Sequence, residues 1–176
     1  MKIAYVTSQE RGKIDHLLSA VAEQLQANDR SLVGIVRVAA YESQFANGCD
    51  MKVRVLPAGP EIKITQNLGE GSDACRLDPG AIATAVSNVD SNPNDNADLF
   101  ILNKFGPEEA SGRGFVFAIG KALEHGIPVL VGVGPANQAA FDTFAGGLAD
   151  TLPDELDAIL QWCATTIDNK SERTTA

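Results

Sequence analysis

Short runs of consecutive apolar residues divide the chain, and between them lie longer stretches in which apolar residues recur every three or four positions. The runs at residues 3–6, 32–39, 98–103 and 127–133 have the length and side-chain types of buried strands. The longer stretches predict amphipathic helices. Their apolar positions are Ile14, Leu17, Leu18, Val21 and Leu25; Ile82, Ala85, Val86 and Val89; Phe115, Ala118, Ile119 and Ala122; Phe141, Phe144 and Leu148; and Leu156, Ile159, Leu160, Cys163 and Ile167. This alternation predicts a three-layer α/β domain with a mostly parallel sheet.

Two segments of alternating polarity interrupt this pattern. Residues 52–56 and 61–65 place apolar side chains at every second position, and a Pro-Ala-Gly-Pro sequence at 57–60 separates them. This predicts an inserted β-hairpin with one face on the core and the other in solvent. Residues 67–77 contain several Gly, Ser and Asp residues and predict an irregular loop.

Polar residues mark the starts of two helices and the end of the domain. Asp78 precedes Pro79 as an N-cap precedes a proline in the first helical position. Asn137 is the expected cap of a later, short helix. We expect a single domain over residues 1–168 and a flexible C-terminal tail over residues 169–176.

Composition and charge exclude some classes of partner. The 14 Lys and Arg residues against 23 Asp and Glu residues give a net charge of −9, which repels a polyanion, so we expect no nucleic-acid partner. No apolar run approaches the length that spans a bilayer, and the chain begins directly with a strand, so we expect neither a membrane partner nor a signal peptide. Three widely spaced cysteines argue for a reducing, cytoplasmic location. The oligomeric state stays open.

A Gly-Lys pair lies between the first predicted strand and the first predicted helix. Gly12 and Lys13 stand where a phosphate-binding loop of the G-x-x-x-x-G-K-[ST] type has its Gly-Lys. The match is partial, because Thr7 replaces the first glycine and Ile14 replaces the hydroxyl residue that binds magnesium. Two interpretations stay open: an anion-binding loop, or an ordinary turn in which Arg11 and Lys13 are solvated charges.

A second loop resembles part of a known enzyme class. Residues 97–110, Ala-Asp-Leu-Phe-Ile-Leu-Asn-Lys-Phe-Gly-Pro-Glu-Glu-Ala, resemble the Walker B region of small nucleoside triphosphatases of the thermophile type. In those enzymes an apolar strand ends in Asp-Glu, and a hairpin is inserted at the place where this chain has its predicted hairpin. The resemblance implies a fold like that of the P-loop nucleoside triphosphatases.

Over residues 2–162 the chain is similar to an uncharacterised bacterial family, domain of unknown function 2478, which is often encoded beside molybdate-transport genes. The shared phrases are Gly-Cys-Asp-Met at 48–51, Cys-Arg-Leu-Asp-Pro-Gly at 75–80, Asn-Lys-Phe-Gly at 103–106, Gly-Arg-Gly at 112–114 and Phe-Ala-Gly-Gly-Leu at 144–148. This resemblance implies a link to molybdenum handling and brings no activity with it.

The chain departs from the triphosphatase pattern where catalysis needs carboxylates. Asn103 and Lys104 replace the Asp and Glu that hold magnesium and polarise water. An amide brings no negative charge, and a lysine is not a base for water at neutral pH unless burial depresses its pKa. We therefore predict little or no nucleotide hydrolysis.

The alternative is an active nucleoside triphosphatase or phosphotransferase with an atypical metal site. It would use Lys13 together with ligands drawn from Glu108, Glu109 or Asp98. Glu108 and Glu109 are weak catalytic candidates, because such a pair is also typical of a helix start, where the helix dipole favours negative charge.

Polar and cationic residues follow the predicted strands at the edge of the sheet where α/β proteins bind ligands. The predicted ligand-binding residues are Thr7, Ser8, Arg11, Gly12, Lys13, Asn103, Lys104 and Arg113. With the first helix N-terminus they suit a small anion: a nucleotide such as ATP or GTP, phosphate, or a tetrahedral oxyanion such as molybdate. The alternative is that Lys104 and Arg113 pair with Glu108 and Glu109 at the surface.

Two cysteines are weak candidates for a metal site. Cys49 and Cys75 flank the predicted hairpin, but no histidine lies at ligand spacing from them. His16 and His125 are predicted to be surface residues on helices. The alternative for Cys49 and Cys75 is that both are free thiols without a function. Cys163 lies on an apolar helical stripe and is predicted to be in the core.

Overall fold

A computed structural model of the chain describes residues 2–42, 50–66, 76–92 and 96–174. The strands are β1 (Ile3–Val6), β2 (Leu32–Arg37), β3 (Lys52–Val55), β4 (Glu61–Lys63), β5 (Thr65–Gln66), β6 (Arg76–Leu77), β7 (Leu99–Phe105), β8 (Val129–Val133) and β9 (Asp150–Leu152). The helices are α1 (Lys13–Ala27), α2 (Pro79–Asp90), α3 (Pro107–Ala110), α4 (Val116–Glu124), α5 (Gln138–Ala145) and α6 (Leu156–Thr174), with a 3₁₀ turn at Pro135–Asn137.

Seven of the described strands form one sheet in the order β4-β3-β2-β7-β8-β1-β9. The pairs β2–β7, β7–β8, β8–β1 and β1–β9 are parallel. The β3–β4 hairpin joins β2 in antiparallel orientation and ends the sheet on that side. The predicted mostly parallel sheet with an inserted hairpin is therefore confirmed.

Helices cover both faces of the sheet and give it two cores. On one face α1 and α6 pack their apolar sides, among them Leu18, Val21, Ile159 and Cys163, against the sheet. On the other face α2, α4 and α5 do the same, and Phe105 of β7 meets Phe141 edge to face with ring centroids 5.2 Å apart. Apolar burial on both faces explains why the central strands are continuous apolar runs. The three-layer architecture is confirmed.

The predicted helix starts have different chemistry at the two positions. The Asp78 carboxylate accepts hydrogen bonds from the backbone N–H groups of Gly80 and Ala81, so this cap is confirmed. Asn137 stands at the N-cap position of α5 but makes no capping hydrogen bond. Its side-chain amide instead donates to the carbonyl of Phe105, 3.4 Å away.

Three details of the sequence-based prediction are wrong. Residues 76–77 are not loop, because Arg76–Leu77 pairs with Thr65–Gln66 in a separate two-stranded sheet. Strand β9 was missed, because its three residues are exposed or half-buried and form no apolar run. Leu148 lies beyond the end of α5 and is 67% exposed, since the helix stops at Gly146. Helix α6 extends to Thr174 and so includes residues 169–174 of the segment expected to form a tail; that the tail is flexible stays a prediction.

Within the part of the chain that the structure describes, no helix combines the length and the apolar composition that crossing a bilayer requires.

Candidate functional site

A cleft of about 730 Å³ opens at the carboxyl ends of β2 and β7, beside the loop that joins β1 to α1. Its apolar wall comes from the strands, the hairpin, α2 and the start of α4: Ile35, Met51, Val53, Ile64, Leu77, Ile82 and Phe115. Its polar lining is Arg11, Gly12, Asp15, Arg37, Asp50, Thr65, Asn103, Lys104, Glu108, Glu109 and Asn137. The cleft thus joins the two loops that the sequence analysis selected.

The first loop reaches the cleft through its last two residues before α1. Gly12 has φ 81°, a left-handed conformation that a residue with a Cβ adopts only at a cost, and α1 begins directly after it. Arg11 is exposed and lines the cleft beside Gly12. Thr7 and Ser8 are half-buried and are not among the residues that line it. The Thr7 hydroxyl has no hydrogen-bond partner among the described residues.

Ile14 has a packing role at the position where a phosphate-binding loop has its hydroxyl. A Cβ on Gly132 of β8 would lie 2.7 Å from Cγ2 of Ile14 and 2.2 Å from the carbonyl oxygen of Asn103. Gly132 therefore lets α1 approach the sheet closely, and Ile14 fills the space. The Ile14 side chain has no oxygen atom, so this position supplies no ligand to a metal ion.

Lys13 turns away from the cleft. Its ammonium group lies 2.9 Å from the carboxylate of Asp154, just before α6, and Lys13 is not among the described residues that line the cleft. The hydrogen bond to Asp154 raises the pKa of Lys13 above its ordinary value. Hydrogen bonds from Ser8 and then Lys13 hold the pKa of Asp154 below its ordinary value. Ser8, Lys13 and Asp154 thus tie the first loop to the start of α6.

Asp15, Arg37 and Asn103 form a polar cluster where β2, β7 and α1 meet. The Asp15 carboxylate accepts from Nη1 of Arg37 at 2.7 Å and from the side-chain amide of Asn103 at 2.9 Å. The Asn103 amide oxygen accepts from the backbone N–H of Arg37 at 3.0 Å. Asn103 is buried, and both of its polar atoms are hydrogen-bonded. Since Asn103 stands where a triphosphatase holds its metal-binding Asp, this position is committed to contacts within the protein.

Lys104 follows Asn103 in the chain but, unlike the buried and hydrogen-bonded Asn103, it is exposed. Its side chain is exposed at the rim of the cleft and forms no ion pair or hydrogen bond with any other residue that the structure describes. The same holds for Arg11. Two cations at one cleft therefore keep their charge available for a ligand.

Arg113, the third predicted cation of the second loop, is paired. Its guanidinium donates to both carboxylate oxygens of Glu108, at 2.9 and 3.2 Å. The hydrogen bond from Arg113 lowers the pKa of Glu108. The surface pairing considered from the sequence is thus present for Arg113 and Glu108, whereas Lys104 and Glu109 do not pair.

Glu109 is buried and serves the backbone. One carboxylate oxygen accepts from the N–H of Gly106 at 2.9 Å and the other from the N–H of Phe115 at 3.1 Å. A carboxylate with both oxygens occupied in this way holds α3 against the start of α4. Its position after β7 is therefore explained by the shape of the loop.

A buried acidic group lines the far wall of the cleft. The Asp50 carboxylate accepts from the hydroxyls of Tyr41 and Thr65, each at 2.7 Å, and lies 3.1 Å from the ammonium group of Lys63. Hydrogen bonds to Asp50 raise the pKa of both Tyr41 and Lys63. The charge of Asp50 is thus balanced inside the protein.

The structure does not bring the alternative metal set together. Asp98 accepts from the N–H of Ser31 at the amino end of β7, whereas Glu108 and Glu109 follow the carboxyl end of the same strand. Among the described residues, no group of three or more His, Cys, Asp or Glu side chains could hold a metal ion. The described residues of the cleft therefore supply no preformed set of three protein ligands for the magnesium ion that the fold class implies.

The cysteines and histidines offer no further site in the described ranges. Cys49 and Cys75 lie outside the described residues. Cys163 is buried in the core as predicted, and burial raises the pKa of its thiol to about 12. His16 and His125 are exposed on or beside their helices, as expected.

Sequence reasoning missed several residues that line the cleft. Arg37 ends β2 at the same sheet edge as Asn103, so the rule that ligands bind beyond strand ends could have found it. Asp15 lies one residue beyond Ile14, outside the phosphate-binding-loop motif at residues 7–14. Thr65 was predicted as part of the hairpin and Asp50 was named only in a phrase shared with the family, and their proximity depends on how the hairpin packs in the folded chain.

Comparison with known proteins places the chain in a family and a fold. The chain belongs to the DUF2478 family, described as a protein of unknown function, whose model matches residues 3–162. This confirms the resemblance drawn from the sequence. A solution structure of a human cancer-related nucleoside triphosphatase is similar over 96% of this chain and 98% of that one, with a TM-score of 0.61 and 14% identity. The predicted P-loop nucleoside triphosphatase-like fold is thereby confirmed.

The chain is also similar to part of a much longer protein. It is 33% identical over 163 residues to the molybdenum import ATP-binding protein ModC 2 of Bradyrhizobium diazoefficiens. The match covers 92% of this chain and 18% of that protein's length.

Proposed function

We propose that the cleft binds a nucleotide or a tetrahedral oxyanion and that the chain hydrolyses little or none of it. The observation that supports this most is the distribution of charge among the described residues of the cleft. Each carboxylate that lines it is held by donors of the protein, whereas Arg11 and Lys104 have no partner among the residues that the structure describes. Unpaired cations at the strand ends of an α/β sheet suit an anionic ligand.

The size and the apolar wall of the cleft favour a nucleotide-sized anion over a bare oxyanion. A volume of about 730 Å³ lies within the range of sites for organic ligands and cofactors. Arg11, Gly12 and Lys104 offer a polar end, and Met51, Ile64 and Phe115 offer an apolar surface. A ligand with a phosphate at one end and a flat, less polar group at the other would use both.

We expect little or no hydrolysis because the residues at the positions considered for catalysis make contacts within the protein. Asn103 is bonded to Asp15 and Arg37, Ile14 packs on Gly132, and Glu109 holds two backbone N–H groups. Phosphoryl transfer depends on positioning and on electrostatic stabilisation of the transferred group, usually by magnesium. None of these side chains is available to hold that ion or to orient a water molecule.

A connection with molybdate handling belongs to the same proposal. It is supported by the similarity to a protein named for molybdenum import, over the stretch that the two share. Molybdate, a tetrahedral oxyanion, would occupy the polar end of the cleft near Arg11 and Lys104.

The test is to analyse the protein as purified, without added ligand, by native mass spectrometry and elemental analysis. Binding of ATP, GTP, phosphate and molybdate is then measured by calorimetry, with and without magnesium, and phosphate release is followed in parallel. We expect one of these anions to be retained or bound, with no gain in affinity from magnesium.

Two results would contradict the proposal. Absence of binding to all four anions would remove the anion site. Turnover above about one per second, the low end for phosphoryl-transfer enzymes, would favour the active nucleoside triphosphatase instead. For any variant that removes a lysine from the cleft, Lys2→Ala is the matched charge control. Lys2 lies at the amino end of β1 beside Asp150, on the opposite edge of the sheet from the cleft.

A further inference from the structure

We propose that Arg37 is the built-in cation of the cleft, so that the ligand binds as a magnesium-free anion. This inference rests on the proposed function and names the form in which the ligand is taken. It assigns to Arg37 the charge that a metal ion supplies in a hydrolase of this fold class.

The first argument is the fixed position of Arg37. Its backbone N–H donates to Asn103, and its carbonyl oxygen accepts from the hydroxyl of Ser19 at 2.8 Å. Its guanidinium is held by Asp15 at 2.7 Å, in a pair whose side chains are 25% and 12% exposed. Both the backbone and the head group are therefore placed before any ligand arrives, which reduces the entropy lost on binding.

The second argument is the unused capacity of the guanidinium. A guanidinium has five N–H donors, and Nη1 of Arg37 serves Asp15. Neither Nε nor Nη2 forms a hydrogen bond with another described residue, and the side chain lines the cleft. The planar donor fork is the geometry that matches phosphate and other oxyanions in a bidentate manner.

The carboxylate that could attract a metal ion to this part of the cleft is already occupied. Asp15 is the carboxylate of the cleft nearest to the Asn103 position, and its two oxygens accept from Arg37 and Asn103. A divalent ion at this place would have to displace the guanidinium or lie beside it, where the like charges repel each other. The arrangement therefore favours a free anion over its magnesium complex.

With Arg11 and Lys104, Arg37 gives the cleft three cations around one anion. Arg37 lies at the end of β2 and Lys104 at the end of the neighbouring strand β7, while Arg11 precedes α1. Arg37 differs from the other two because it is half-buried and anchored. We assign to it the recognition of oxygen geometry and to the exposed pair the attraction of charge.

The experiment compares wild-type protein with Arg37→Gln and Arg37→Lys variants, using ATP and molybdate as probes in calorimetry with EDTA or with excess magnesium. We expect magnesium not to tighten ATP binding to the wild type. Arg37→Gln should weaken binding about 10- to 100-fold, the range for loss of hydrogen bonds to a charged group. Arg37→Lys should retain part of the affinity, because it keeps the charge but loses the fork.

The Arg30→Gln variant is the matched control. Arg30 pairs with Asp168 near the amino end of β2, away from the cleft, and its replacement should leave the affinity within about twofold, since exposed pairs contribute little. Circular dichroism and thermal unfolding would show whether each variant is folded. The comparison of wild-type protein with and without magnesium needs no variant and tests the metal-free form of the ligand by itself.

The possible outcomes separate this inference from the proposed function. Binding of either probe with equal affinity to wild type and folded Arg37→Gln protein would overturn the role of Arg37 and leave the anion site standing. Tighter ATP binding with magnesium would overturn the metal-free form of the ligand. Failure of the wild type to bind either probe would overturn both claims for those ligands.

Discussion

The two loops at the carboxyl edge of the sheet each contribute a lysine directly after a polar or glycine residue, and the two lysines have different surroundings. Lys13, after Gly12, is bound to Asp154 at the start of α6. Lys104, after Asn103, stands at the rim of the cleft without a partner among the described residues. The cleft lies between β2, β7 and α2, and none of the β1 residues Ile3–Val6 lines it.

The difference shows what a strand-end position does and does not imply. Lys13 follows β1 through a loop and Lys104 lies near the carboxyl end of β7, at the edge of the sheet where this architecture binds ligands. Lys13 nevertheless links the start of α1 to the segment before α6, because its ammonium group pairs with Asp154, which is distant in the sequence. A strand-end position therefore marks a cation as a candidate for binding, and the surrounding fold decides whether its charged group lines the cleft, as that of Arg37 does and that of Lys13 does not.

The largest effect is expected from the carboxylate that shapes the second loop. Replacing Glu109 by Gln leaves one buried backbone N–H without an acceptor, and we expect a loss of about 2–3 kcal/mol in the free energy of unfolding. The measurement is chemical denaturation. Glu108→Gln is the control in the same turn and should have a much smaller effect, because its partner Arg113 is exposed. Equal losses for both variants would show that the second loop is not held by Glu109.

The direct test of the comparison is to remove each lysine in turn. Lys104→Ala should weaken binding of the anion about tenfold, corresponding to about 1.4 kcal/mol. Lys13→Ala should weaken it less, because its ammonium group is committed to Asp154. Affinity is measured by calorimetry with the anion identified under the proposed function. A larger loss for Lys13→Ala would move the site back toward β1.

The smallest effect is expected from the pH dependence of the pair that holds Lys13. The pKa of Asp154 lies below its ordinary value of 3.8, so its contribution to stability is present above that value and is lost as the pH falls through the lowered pKa. The pKa of Lys13 lies above its ordinary 10.5, so its contribution is present below that value and is lost as the pH rises through the raised pKa.

The melting temperatures of wild type and Asp154→Asn should therefore differ by a constant amount at intermediate pH and converge toward both extremes. Differential scanning fluorimetry across the pH range measures this. A difference that does not change with pH would mean that the pair makes no electrostatic contribution to the attachment of the first loop.

Much of the fold could be predicted from the sequence because its elements are encoded locally. The apolar runs at β1, β2, β7 and β8 and the alternating hairpin gave the correct strands, since burial on one or two faces sets the spacing of apolar residues. The Asp78 cap was correct for the same reason, because its acceptors lie two and three residues away. Strand β9 was missed because three exposed or half-buried residues carry no such pattern.

By itself, the sequence determined the α/β architecture, the family and the presence of Asn103 and Lys104 in place of two carboxylates near the end of β7. The tertiary structure alone decided that Arg37 reaches Asp15 and Asn103, that Lys13 reaches Asp154, and that Arg11 and Lys104 stay unpaired among the described residues. The physical reason is the separation of the partners along the chain. A strand or a helix depends on neighbours within a few residues, whereas the pairing of charges depends on which distant segments the packed sheet brings to the same edge.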